Sequence, residues 1–177
     1  MSQDGDLIIR LKPIELVLLD VDGVLTDGRI HLGTGSDEGR TFFVRDGLAI
    51  KLAQTVGLQF GIVSGRDSPV VSRRAAELDI RHIHQGVHEK GERFEQIASE
   101  TGLSPDQICF VGDDLIDIPA MRRAGFAASP ADADPATKRF AHYVCERSGG
   151  NGAVREVIDM ILKSGNRWDQ AMERFLK

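Results

Sequence analysis

Short apolar runs separated by helical patterns organise this chain. The runs fall at 16–19 (LVLL), 58–63 (LQFGIV), 108–111 (ICFV) and 126–128 (FAA), with weaker ones at 82–83 and 143–144. Apolar runs of this length suit strands that are covered on both faces of a sheet. Between them lie stretches with helical spacing and credible ends. Ala49, Leu52, Ala53 and Val56 share one face behind Asp46, a candidate cap, with Gly57 just past the end. Asp67 is placed to cap the next helix, with Pro69 in its first turn and Val71, Ala75 and Leu78 as its stripe. A third helix is expected over 89–101, stopping at Gly102, and a fourth from near Leu115 to before Gly125. The last covers roughly 152–163. Strands alternating with helices predict an α/β fold, a doubly wound and mostly parallel sheet flanked by helices.

One segment departs from this alternation. Residues 29–32 and 41–44 are two strand-like pieces joined by GTGSDEGR, which reads as a β-hairpin inserted after the first strand. Its Gly33 and Gly35 lack the spacing of a dinucleotide loop and no helix follows directly, so they are turn glycines. The tail, about 164–177, is polar apart from Trp168 and predicts a short terminal helix or a mobile arm.

Length and composition narrow the function classes. A chain of 177 residues, 41% hydrophobic and 28% charged, is expected to fold as one domain spanning 1–177. No run approaches the roughly 20 apolar residues of a membrane span, and 16–19 is too short for a signal peptide. No membrane partner and a cytoplasmic location follow as expectations. The net charge of −5 comes without a basic stripe, which excludes a nucleic-acid partner. An anionic ligand would then need local cations. Cys109 and Cys145 sit in apolar segments and read as buried, inert thiols.

Chemistry collects where the strands end. In open α/β sheets, functional groups gather at the carboxyl ends of the strands. After the first strand come Asp20, Val21, Asp22 and Gly23; after the second, Ser64, Gly65 and Arg66; after the fourth, Asp113, Asp114 and, a turn later, Asp117. Lys90 stands near the start of the third helix. Each group alone has a plainer reading, such as a turn former, a helix cap or a surface lysine. Together, Asp20, Asp22 and Asp113 would repel one another unless a cation sat among them, and oxygen donors suit Mg2+. A calcium loop in DVDGVLTD fails, because the glycine falls two positions early and a strand precedes it. A carboxylate can attack phosphorus to give an acyl phosphate, with Mg2+ and Lys90 offsetting charge repulsion. Asp22, two residues on along an extended chain, lies on the same side as Asp20 and is placed to move the proton of the leaving oxygen.

At these residues the sequence resembles the haloacid dehalogenase superfamily of phosphotransferases, whose four signatures occur in order: LLDVDGVLTDG, VSGR, Lys90 and VGDDLID. The resemblance implies that Asp20 is nucleophile and metal ligand. It makes Asp22 the acid/base and a metal ligand through its carbonyl, and Asp113 the third ligand. Ser64 then binds phosphoryl oxygens, Lys90 neutralises them, and Asp114 or Asp117 supports Lys90 and the metal waters. Over about 15–162 the runs VRDG, QG at 85–86 and GGNGAVREV resemble the 3-deoxy-D-manno-octulosonate 8-phosphate phosphatase family, which includes nonulosonate 9-phosphate phosphatases. That implies a small anionic sugar-acid phosphate as substrate. Neither the gap from Asp20 to Ser64 nor that from Ser64 to Lys90 has room for a cap domain. Capless relatives close the site by forming a homotetramer through such hairpins, here with Ile30, Leu32, Phe42 and Val44 as the apolar candidates. Gly65 and Arg66, with Arg45 and Arg155, are the candidate contacts to the substrate and its carboxylate. The alternatives are a nonulosonate 9-phosphate as substrate, a phospho-receiver, and an inactive binding module. A receiver would carry its adjacent acidic pair on the first strand, whereas here that strand carries DxD.

Overall fold

In a computed structural model the protein is described over residues 3–34 and 38–176. The expected sheet forms, with six parallel strands: β1 (Leu16–Leu19), β4 (Gln59–Val63), β5 (His82–His84), β6 (Ile108–Val111), β7 (Phe126–Ser129) and β8 (Tyr143–Val144). Their spatial order is β5-β4-β1-β6-β7-β8. β1 lies at the centre, with Leu19 opposite Ile62 on one side and Val111 on the other. Successive β1 side chains serve opposite faces. Val17 and Leu19 pack with Ile50 and Ile158, while Leu16 and Leu18 pack with Phe94 and Phe110. Coverage on both faces explains why these strands read as unbroken apolar runs.

The first face is covered by α2 (Val44–Gln54), α3 (Pro69–Glu77) and α7 (Ala153–Ser164). The second is covered by α4 (Lys90–Thr101) and α5 (Ile118–Met121). α4 ends as expected, at Gly102 in the left-handed conformation with φ 70°. The fourth helix begins with a 3-10 turn over Leu115–Asp117, and a one-turn α6 (Pro135–Lys138) follows β7. An N-terminal α1 (Gln3–Leu11), not anticipated from the sequence, lays Leu7 and Leu11 on the core. The tail forms α8 (Trp168–Met172) and a final 3-10 turn over Glu173–Phe175, with Trp168 against the core. Among the described residues no helix is long and apolar enough to cross a membrane.

Three local expectations are corrected. The hairpin pairs β2 (His31–Leu32) with β3 (Glu38–Gly39), not with 41–44. Phe42 turns inward under the guanidinium of Arg74, 5.6 Å from its ring centroid, and Val44 opens α2. The turn residues 35–37, including Gly35, lie outside the described residues. The N-cap position of α3 is held by Ser68, not Asp67, and no side-chain capping bond is made there.

Asp46 does not cap α2, which starts two residues earlier with Phe43 at its cap. Its buried carboxylate instead accepts the N–H of Arg155 at 2.8 Å, in the first turn of α7. The α2 and α7 ends are thereby tied together by a helix-capping bond across 109 residues of chain. Asp46→Ala is expected to lower stability by about 1–2 kcal/mol, read by urea unfolding.

Candidate active site

The parallel register brings three loops to one point. Ser64 and Asp113 each stand two residues beyond the partners of Leu19, and Asp20 follows Leu19 directly. Asp20 donates its N–H to the Val111 carbonyl at 3.0 Å, fixing the loop to the strand end. Lys90, the first residue of α4, points back beneath this edge and is wholly buried. Its ammonium lies 2.9 Å from Asp20 Oδ1 and 2.6 Å from Asp117 Oδ1.

Asp117 is buried too. Its second oxygen accepts the N–H groups of Asp113 at 3.0 Å and of Asp114 at 3.2 Å, locking the loop after β6. Of the two acids expected to support Lys90, Asp117 is the one the fold places there. Asp114 is exposed and accepts the N–H of Leu115 at 2.7 Å. Ser64 is buried, and its hydroxyl accepts the N–H of Arg66 at 3.3 Å.

Carboxylate oxygens of Asp20, Asp113 and Asp117 lie within 4.8 Å of one another. Burial, then the charge of Asp117, pushes Asp20 up to about 7 despite the opposing pull of Lys90. Burial, then the charges of Asp20 and Asp117, pushes Asp113 to about 8. Burial disfavours the Lys90 ammonium, but Asp20 and Asp117 outweigh it and raise the lysine above its usual value. Three carboxylates thus face one ammonium, and Asp113 Oδ1 is buried without a hydrogen-bond partner among the described residues. An all-oxygen set with surplus negative charge and a free lone pair fits Mg2+. Gly23 shapes this cradle: its φ is 89°, and a Cβ there would lie 2.0 Å from Asp113 Oδ2. The GGNG segment backs it from behind, since a Cβ on Gly149 would fall 1.8 Å from the Gly23 carbonyl oxygen.

The raised acids set a pH dependence. Without metal, the folded protein holds protons on Asp20 and Asp113 that the unfolded chain releases near pH 4. Metal-free stability therefore falls as pH rises from about 4 to 8. Mg2+ must displace those protons, so it binds more tightly at pH 8 than at pH 6. Thermal melts with and without Mg2+ are expected to show the larger upward shift at pH 8; a shift equal at both pH values contradicts this assignment.

Asp22 is held differently, by a residue that sequence reasoning missed. Arg40, just after β3, donates from Nε to Asp22 Oδ1 at 2.5 Å and from Nη2 to Oδ2 at 3.1 Å. Arg40 also donates to Ser68 Oγ at 2.8 Å and pairs with Glu38. Glu38 in turn accepts from Arg66 Nη2 at 3.1 Å. Hydrogen bonds from Arg40 first, then Ser68 and Arg66, hold the Glu38 carboxyl down at about 2. Gln85 of the QG pair steadies the same loop by accepting the N–H of Ser68 at 2.9 Å.

Arg45 and Arg155 are not brought to this cluster. Both line a separate cavity of about 470 Å³ between α2 and α7, with Tyr143, Arg147 and Glu156. Arg155 is committed to Asp159 at 2.7 Å, one turn along α7. As candidate contacts to the substrate's carboxylate, these two arginines stand apart from the carboxylate cluster of their own chain.

A profile of haloacid dehalogenase-like hydrolases matches residues 37–125. The chain is 40% identical, over 94% of its length and 89% of the relative, to the 3-deoxy-D-manno-octulosonate 8-phosphate phosphatase KdsC of Escherichia coli K12. It superposes on the crystal structure of a probable YrbI family phosphatase from Pseudomonas syringae with TM-score 0.95 and 37% identity, covering 98% of both chains. It superposes equally well on the 3-deoxy-D-manno-octulosonate 8-phosphate phosphatase of Moraxella catarrhalis, solved with magnesium, phosphate and the sugar acid. There the TM-score is 0.94 and the identity 37%, over 97% of this chain and 98% of that one. The chain belongs to the haloacid dehalogenase-like hydrolases, and its similarity within them is to the octulosonate 8-phosphate phosphatases.

Proposed function

We propose that this protein hydrolyses 3-deoxy-D-manno-octulosonate 8-phosphate to the free sugar acid and phosphate through an aspartyl-phosphate on Asp20. The observation that carries the reading is the buried Lys90 ammonium, 2.9 Å from Asp20 and 2.6 Å from Asp117, at the edge where Ser64 and Asp113 also end. The likeness to the magnesium-, phosphate- and sugar-acid-bound relative supports it.

Asp20 attacks phosphorus while the bond to the leaving sugar oxygen breaks, and Asp22 gives that oxygen its proton. Asp22 then takes a proton from water as the water oxygen attacks phosphorus, which releases phosphate and restores Asp20. Lys90 and the Ser64 hydroxyl hold the phosphoryl oxygens, and Asp117 keeps Lys90 in place. Asp20, the Asp22 carbonyl and Asp113 would hold Mg2+, which when bound offsets the charge of the carboxylates and phosphoryl oxygens. Gly65 and Arg66 face the rest of the substrate.

With no cap domain, closure falls to neighbouring copies. The hairpin residue Leu32 and the adjoining Val44 are 79% and 78% exposed, an apolar face suited to the homotetramer expected from the sequence. Action on a soluble sugar phosphate agrees with the cytoplasmic location expected there. The test is phosphate release from a panel containing octulosonate 8-phosphate, a nonulosonate 9-phosphate and hexose 6-phosphates, with Mg2+ or with chelator. Metal-dependent preference for the octulosonate ester is the expected result; indiscriminate release removes the substrate assignment, and release unaffected by chelator removes the chemistry.

A further inference from the structure

Glu38 occupies an unusual position for an acid beside the entrance to an anion-processing site. Its two oxygens are divided between two guanidiniums, one on Arg40 Nη1 and one on Arg66 Nη2 at 3.1 Å. Those arginines come from separate elements, the return arm of the hairpin and the loop after β4. Each is anchored to the reacting end of the site. Arg40 holds Asp22, and the Arg66 N–H reaches the Ser64 hydroxyl at 3.3 Å. Two guanidiniums spaced around one carboxylate form a set of donors that fits any carboxylate, whether of the protein or of a ligand.

We propose that Glu38 is an intramolecular stand-in for the substrate's acid group, occupying the Arg40–Arg66 pair until the carboxylate of an incoming sugar-acid phosphate displaces it. This rests on the sugar-acid reading of the substrate. Displacement is easy to accommodate. Glu38 belongs to a strand paired over two residues only, opposite the exposed His31 and Leu32, so its anchorage is slight. The Arg66 half of the contact, with Arg66 52% exposed, lies at the solvent boundary where such pairs are weak. The Arg40 half is buried and is the part an incoming carboxylate must replace in kind. Arg66 has no other side-chain partner among the described residues, whereas Arg40 retains Asp22 and Ser68 when Glu38 leaves. An ester without a carboxylate has nothing to exchange for Glu38 and meets the arginines already paired. Glu38 therefore competes with acid-bearing esters alone and leaves esters without a carboxylate unaffected.

The experiment compares kcat/KM for octulosonate 8-phosphate and for a hexose 6-phosphate, in wild type and in Glu38→Gln. Glutamine keeps the shape and one acceptor oxygen but removes the competing charge. The ratio of the two kcat/KM values is expected to rise about two- to fivefold in favour of the acid ester, the range of an exposed ion pair. Arg66→Ala added to Glu38→Gln is expected to return the ratio to the wild-type value or below. A ratio that stays constant or falls overturns the proposal and leaves Glu38 as a brace for the arginines. Equal gains on both esters also overturn it, since they reflect only the loss of a nearby negative charge. A wild type with no preference for the acid ester removes the substrate reading and this inference together, whereas a preference that Glu38→Gln leaves intact removes this inference alone.

Discussion

Replacing Lys90 by methionine is expected to lower the unfolding free energy by about 3–5 kcal/mol in chelator at pH 8. Lys90 is wholly buried and is the only ammonium within 4 Å of Asp20 and Asp117 among the described residues. Methionine fills a similar volume, so the loss does not come from a cavity. It comes from leaving two buried carboxylates beside Asp113 with no positive partner. Against a typical domain stability of about 5–15 kcal/mol this is a large fraction. The pH sign is fixed by the same geometry. With the lysine gone Asp20 binds its proton more readily, so the difference from wild type shrinks as pH falls below about 7 and Asp20 becomes neutral. Saturating Mg2+ also narrows it, because a divalent ion offsets part of the surplus charge. Urea unfolding at pH 5 and 8, with chelator and with Mg2+, tests each part. A difference below about 1 kcal/mol at pH 8 would show that the lysine is not the counter-charge of the site.

Asp20→Asn carries the largest expected effect on activity, a fall in kcat of about 10⁴-fold or more. Asparagine matches aspartate in shape and keeps an oxygen near Lys90, but a neutral amide does not attack phosphorus. Stability is expected to move the other way. Asp20 is pushed up to about 7, so at pH 8 its ionisation opposes folding in the absence of metal. Removing that charge raises the melting temperature in chelator and shrinks the shift produced by Mg2+. An inactive enzyme that is no less stable than wild type separates a chemical role from a structural one. A variant that has lost its fold would instead place Asp20 among the structural residues.

The parts of this site that were legible in the sequence are those built by local pattern. The central strands announced themselves because both faces are covered, which leaves runs such as LVLL and ICFV without polar interruption. The strand ends then marked Asp20, Ser64 and Asp113, and the parallel register brought them together. What escaped depends on contacts between distant residues. Arg40 reaches Asp22 across 18 positions from a stretch, DEGRT, that carries no apolar signal at all. Phe42 and Val44 alternate as a strand would, yet one packs on the core and the other begins α2. Asp46 stands where a local cap belongs, and a bond to Arg155 takes it elsewhere. α1 was missed because Ile8 and Ile9 are both exposed, which blurs the stripe formed by Leu7 and Leu11. Arg45 and Arg155 were named from motif runs, and in the fold they line a cavity between α2 and α7 that no spacing in the sequence marks.

The central claim is that the phosphoryl group passes through Asp20. Its most direct test is an acid quench during a single turnover of octulosonate 8-phosphate by the Mg2+-loaded enzyme, followed by peptide mapping, with Asp20→Asn as control. The phosphoryl group is predicted on the peptide containing Asp20 in the wild type and nowhere in the variant. A phosphoryl group on any other residue, or phosphate release by Asp20→Asn at a rate near that of wild type, would contradict it.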